Sequence, residues 1–215
     1  MDYSTDLSRA APLGARRISV TGRIGLILGA FTAVALLVAA YLLFVTSYNG
    51  QFMDNETMTT LGSHLGSDVP TSGWLGQHQI AVLAGGGLLI ATICALRRSP
   101  RLAVHAVVLI GGAVVAALLL KAGLDRPSFG IGTLTNSFPS NTVAAFVALA
   151  LALSAVSPSA VRTAVTVVAV AGAGAVSAWV VLLQWHRPSD VIGGWLIAVA
   201  AAFIAESLAP ARNAA

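Results

Sequence analysis

Six stretches of the chain are predominantly apolar, and polar segments of uneven length separate them. They run from Ile24 to Thr46, Gln77 to Leu96, Leu102 to Leu120, about Thr142 to Val156, Thr163 to Leu183, and Val191 to about Leu208. A helix of about 20 apolar residues crosses a bilayer, so the pattern predicts an all-α integral membrane bundle of about six transmembrane helices. It divides the chain into an N-terminal tail (1–23), a membrane domain (24–208) and a C-terminal tail (209–215). The first apolar run is longer than the core of a signal peptide and reads as a retained helix. Glycines within the spans, such as Gly85-Gly86-Gly87, suit close helix packing and leave a homo-oligomer open.

The polar segments differ in kind. Residues 47–76 form the longest, with Asp54, Glu56 and Asp68 but no lysine or arginine, and read as an outer loop. His64 reads there as a solvated loop residue and His78 as interfacial. Arg97-Arg98-Ser99-Pro100-Arg101 is a tight basic turn, and His105 just beyond it reads as interfacial or packed. Two polar islands, from Lys121 to Pro139 and from Gln184 to Asp190, are richer in charge.

Composition agrees with a membrane protein: 57% of the 215 residues are hydrophobic and 9% are charged, where soluble domains carry about 25% charged residues. The single cysteine, Cys94, permits no intrachain disulfide. The formal charge of +4 comes from basic residues scattered over short loops, which excludes a nucleic-acid patch. With six spans, nine of the twelve basic residues fall on the side of both termini: Arg9, Arg16, Arg17, Arg23, Arg97, Arg98, Arg101, Arg162 and Arg212. The positive-inside rule therefore predicts cytoplasmic termini in a multi-pass cell-membrane protein. Lys121, Arg126 and Arg187 run against the trend, on the outer side.

Basic residues held there imply a bound anion. Arg126 could grip a phosphate bidentately, and Lys121 could add a point charge. Pro139-Ser140-Asn141-Thr142 opens a helix, whose free N–H groups favour an anion. His186 and Asp190 stand four apart, on one face if a helix starts there, and an aspartate can fix the imidazole's tautomer. An oriented histidine facing an anion pocket is equipped to attack phosphorus. The alternative is a set of interfacial helix caps and snorkelling side chains, with Trp185 in an aromatic belt and Pro188 as an early helical residue.

Lys121 with Arg126-Pro127, then Ser137-Phe138-Pro139-Ser140, then His186 with Asp190 resemble the three motifs of the type 2 phosphatidic acid phosphatase superfamily. That pattern is Lys, six residues, Arg-Pro; then Pro-Ser-Gly-His; then Ser-Arg, five residues, His, three residues, Asp. The resemblance covers roughly Leu118 to Leu208. It implies a membrane phosphatase that needs no metal or other cofactor. Its substrate would be a lipid phosphate or polyprenyl diphosphate, hydrolysed at the outer face through a phosphohistidine. His186 would be the nucleophile and Asp190 its orienting partner, with Lys121, Arg126, Ser140, Thr142 and Arg187 around the phosphate.

The chain departs from the pattern in three places. Four residues, not six, separate Lys121 from Arg126; Asn141-Thr142 stands for Gly-His; and Trp179-Val180 stands for Ser-Arg. The missing histidine is the family's general acid, and acid–base help is worth about 10²–10⁴-fold. A threonine hydroxyl is no useful acid near neutral pH. A substrate that releases phosphate rather than an alkoxide would suffer least, which favours a diphosphate. Glu56, Asp68 or His64, folded over the pocket from the outer loop, could supply the acid. The alternative is a catalytically impaired relative that binds phosphorylated lipid or supports a cell-envelope partner.

Overall fold

The computed structural model describes residues 19–65, 73–132 and 135–209. Arg9, Arg16, Arg17, Asp68 and Arg212 lie outside them. Among the described residues every regular element is a helix and there is no strand. Its elements are α1 (Val20–Ala40), a π-helical turn (Tyr41–Val45), α2 (Tyr48–Leu65), α3 (Gly73–Leu96), α4 (Pro100–Gly123), α5 (Asn141–Val156), α6 (Ser159–Leu182) and α7 (Pro188–Leu208).

Among the described residues, five segments are long and apolar enough to cross a membrane: Val20–Val45, Gly76–Leu96, Pro100–Gly123, Ser159–Leu182 and Pro188–Leu208. Each exposes large apolar side chains outward, among them Leu28, Phe31, Leu88, Leu119 and Val168. Such a surface suits lipid, which is as apolar as the side chains themselves. The sixth apolar helix, α5, has 16 residues. It spans about 24 Å, short of a hydrocarbon core of about 30 Å. It is instead the axis of the bundle: α3, α4, α6 and α7 all pack on it. Half its length is buried, mostly as alanine and valine, and small side chains let the neighbours approach closely.

The predicted outer loop is largely a helix. α2 covers Tyr48–Leu65 and touches α6, α7 and the π turn. The π turn carries the chain from α1 into it, and Gln51 fixes the junction by donating to Val45 O (2.7 Å) and Pro127 O (2.9 Å).

Helix starts follow local chemistry. Ser99 accepts from Leu102 N–H (3.4 Å) ahead of Pro100, and Ser140 accepts from Val143 N–H (3.3 Å) at the start of α5. Two polar assemblies mark opposite ends of the bundle. At one, Arg97 donates to Val156 O (3.0 Å), and His105, buried as a packed residue, meets Ala209 O (2.9 Å) and Glu206 (3.7 Å). At the other, Tyr41 donates to Asp125 O (2.7 Å) beside the two polar islands.

Candidate functional site

The turn between α6 and α7 is closed by one carbonyl. Val180 O accepts from Trp185 N–H (2.9 Å) and His186 N–H (3.1 Å), while Gln184 takes a left-handed conformation (φ 57°). Val180 itself is fully buried. The turn delivers His186, Arg187 and Asp190 to one point.

α7 starts at Pro188, later than a shared helical face for His186 and Asp190 requires. The two meet through the helix cap instead. Arg187 is the N-cap residue, and its N–H donates to Asp190 Oδ2 at 2.9 Å. That carboxylate, held in place, lies 3.4 Å from His186 Nδ1 through Oδ2 and 3.4 Å from Arg126 Nη2 through Oδ1. The His186 contact is at ion-pair distance and falls short of hydrogen-bond geometry, so Nδ1 makes no hydrogen bond. A carboxylate facing Nδ1 favours a proton on that nitrogen and so a lone pair on Nε2.

Asp190 also joins the two islands through its backbone, since its carbonyl accepts from Ser140 N–H at 2.9 Å. This requires α5 to start hard against α7. A Cβ on Gly194 would lie 2.9 Å from Ser140 O and 3.0 Å from Ala144 N, so only glycine allows that approach. The preceding Phe138–Pro139 bond is cis, and Phe138 is fully buried against Gly193.

The two arginines are the least satisfied groups in the site. The Arg126 side chain is 3% exposed and Arg187 as a whole is 3% exposed. Arg187 therefore does not snorkel to a headgroup; it points inward and donates from Nη1 to Ser137 Oγ (3.1 Å). Arg126 Nε, Arg126 Nη1 and Arg187 Nε are buried with no acceptor. Buried polar groups are normally paired, and buried guanidinium donors left without a partner mark a place for an anion. Burial pulls the Arg126 guanidinium below its ordinary range and the nearby Asp190 charge opposes the shift. An arginine stays charged all the same.

A further carboxylate belongs to this region, one the sequence pattern placed only in the outer loop. Asp54, on α2, is buried and accepts from Ser189 N–H (2.9 Å) and Ser189 Oγ–H (2.6 Å). It caps α7 from outside the helix, because Ser189 N–H is one of the first-turn donors that lack an intrahelical acceptor. Burial raises its carboxyl above the usual range, the Ser189 bonds pull it down, and the Asp190 charge raises it further.

The other sequence-predicted residues take different places. Lys121 sits in the last turn of α4 rather than in a loop, within reach of the Asp190 charge. Ser140 is fully buried, and its oxygen caps α5. Thr142 faces α3 and donates to Gln79 Oε1 (3.3 Å). Glu56 and His64 lie exposed on α2, and His64 bonds Thr60 O (2.9 Å) in its own helix. His186, Asp190, Arg126 and Arg187 thus form the core, with Lys121 at its edge. No cluster of three or more metal-ligating side chains occurs among the described residues. The chain matches no described protein family, no curated protein and no solved structure.

Proposed function

We propose that the chain is a phosphatase of the cell membrane, related to the type 2 phosphatidic acid phosphatases, that hydrolyses a lipid phosphate or polyprenyl diphosphate at the outer face. One observation carries this. His186 has Nδ1 turned to Asp190, beside three buried guanidinium N–H donors that have no protein acceptor. A pure anion pocket has no need of an oriented imidazole.

In the first step His186 Nε2 gives its lone pair to phosphorus, and the bond to the leaving oxygen breaks with its electron pair. The imidazole then bears a positive charge that Asp190 offsets, and Arg126, Arg187 and Lys121 balance the phosphoryl oxygens. In the second step water attacks phosphorus, the P–Nε2 bond breaks with its electron pair returning to Nε2, and the water's proton leaves with the inorganic phosphate. Arg187 takes over the guanidinium that the motif pattern would put at Val180. Thr142, turned to Gln79, supplies no proton to the leaving group. A diphosphate, which expels phosphate, fits this arrangement better than a monoester that expels an alkoxide. The outer placement rests on the excess of arginine at the opposite end of the bundle.

The test is phosphate release by the purified protein in detergent from a polyprenyl diphosphate and a phosphatidic acid. Release is expected to be faster from the diphosphate and to vanish in His186→Ala. Equal or faster release from phosphatidic acid would sink the leaving-group argument. A second function, binding phosphorylated lipid without turnover, is favoured by the engaged Thr142 hydroxyl. Its sign is lipid binding with no release from either substrate.

A further inference from the structure

Near Arg187 a cavity of about 490 Å³ opens between α2 and the loop joining α4 to α5. Its wall includes three aromatic rings, Tyr48, Phe52 and Phe129, together with Asn55, Glu56 and Gly132. Tyr48 and Phe129 meet edge to face, with ring centroids 6.0 Å apart. Phe52 and Tyr48 are about half exposed, although neither belongs to a helix long and apolar enough to span a membrane.

Gly132 connects this cavity to the phosphate site. It has φ +66°, and a Cβ there would lie 2.5 Å from Asn55 Oδ1 and 2.8 Å from Arg187 Nη2. Only a glycine stands between the cavity and the guanidinium. The charge pattern changes sign across it. Glu56 makes no side-chain hydrogen bond or ion pair among the described residues, and the segment 47–76 carries no lysine or arginine to balance it. Aromatic faces with a free carboxylate are the chemistry that holds an organic cation, and a quaternary or primary ammonium suits them. A guanidinium pair with open donors, on the other side of Gly132, suits a phosphate.

We propose that this cavity receives the ammonium of a zwitterionic phosphate monoester, with the nitrogen against Glu56, Tyr48, Phe52 and Phe129 and the phosphate on Arg126 and Arg187. The proposal rests on the phosphate site argued above and concerns binding rather than turnover: among monoesters, the site holds most tightly one whose alcohol carries a cationic nitrogen near the ester oxygen.

The experiment is calorimetric titration of the full chain, purified in a maltoside detergent so that no choline headgroup competes. Three soluble probes are used: inorganic phosphate, phosphocholine, and 3,3-dimethylbutyl phosphate, which replaces the ammonium nitrogen by carbon. Phosphocholine is expected to bind about tenfold tighter than its carbon isostere, the size of one partly desolvated cation–π or ion-pair contact. Glu56→Gln and Phe52→Leu, both at exposed positions, are expected to erase that preference and leave the affinity for inorganic phosphate unchanged. Equal binding within the soluble pair and within a long-chain pair alike, or a preference that survives in both variants, overturns the proposal while the phosphate site stands. Failure to bind inorganic phosphate overturns the phosphate site and the proposal together. A pair of long-chain alkyl phosphates, with and without an amine near the ester, separates a lipid from a soluble ligand. Preference within the long-chain pair alone assigns a lipid, within both pairs the shared headgroup chemistry, and within neither overturns the proposal.

Discussion

Asp190 is the residue on which the site turns. Its two oxygens meet a backbone N–H, an imidazole and a guanidinium, and its carbonyl receives Ser140 N–H. Taking a carboxylate out of water is expensive, and removing one partner of a buried pair leaves the other charge uncompensated. Asp190→Asn separates its roles. The amide oxygen can still accept from Arg187 N–H and keep the cap, but it no longer stabilises an imidazolium or enforces Nδ1 protonation. Turnover is expected to fall on the order of 10⁴-fold, as when a carboxylate that orients a catalytic histidine becomes an amide. Single-turnover release from a diphosphate, run beside a thermal melt, checks this. A loss of less than tenfold in a folded variant would show that the His186–Asp190 contact does not drive the chemistry.

At the scale of elements, the spanning helices were legible because lipid demands continuous apolar surface, and apolar runs are easy to see. The third begins and ends a few residues beyond where hydropathy put it, and the sixth only begins a few residues earlier, since Pro100 and Pro188 start helices inside polar turns. α2 was not legible, for a physical reason. Its buried positions are Gly50, Gln51, Asp54 and Gly62, so its inward face is small and polar and makes no apolar stripe. Asp54 was readable as an acidic residue in a segment without basic partners, but its contact with Ser189, 135 positions away, was not. That contact makes the docking of α2 sensitive to pH. Burial raises the folded-state pKa of Asp54 above the unfolded value of about 3.9. The folded state then binds the proton more tightly. This contribution to stability is full below the unfolded pKa and is lost as pH rises through the folded one. Hydrogen exchange in α2 should therefore speed up across that window beyond its intrinsic pH dependence. Asp54→Asn should flatten the excess, since an amide oxygen still accepts from Ser189 N–H without carrying charge. Asp54→Ala, which orphans that N–H, should destabilise α2 docking by about 1–3 kcal/mol at any pH. An unchanged pH profile in Asp54→Asn would assign the dependence to another group.

Over the whole molecule, charge is sorted by end. Arg97, Arg98, Arg101 and Arg162 flank the helix ends around Val156 and Ala209, while Lys121, Arg126 and Arg187 gather at the opposite end around Asp190. In the first group Arg97 and Arg162 donate to carbonyls at helix ends, and Arg98 closes a turn at φ 46°. Arginines of that kind hold a membrane protein's orientation, whereas the second group is held inward around a carboxylate and a histidine. The phosphatase proposal needs the Asp190 end outside, opposite the end that gathers the scattered arginines. Thr57 on α2 and Arg98 between α3 and α4 mark the two ends, and Thr57 is exposed. Cys94, the one native thiol, is buried and can be replaced by alanine to leave a blank background. A thiol introduced by Thr57→Cys should react with a membrane-impermeant maleimide in intact cells, and one introduced by Arg98→Cys only after lysis. The opposite pattern would put Arg126, Arg187 and His186 on the cytoplasmic side, where the substrate would have to be a lipid of the inner leaflet.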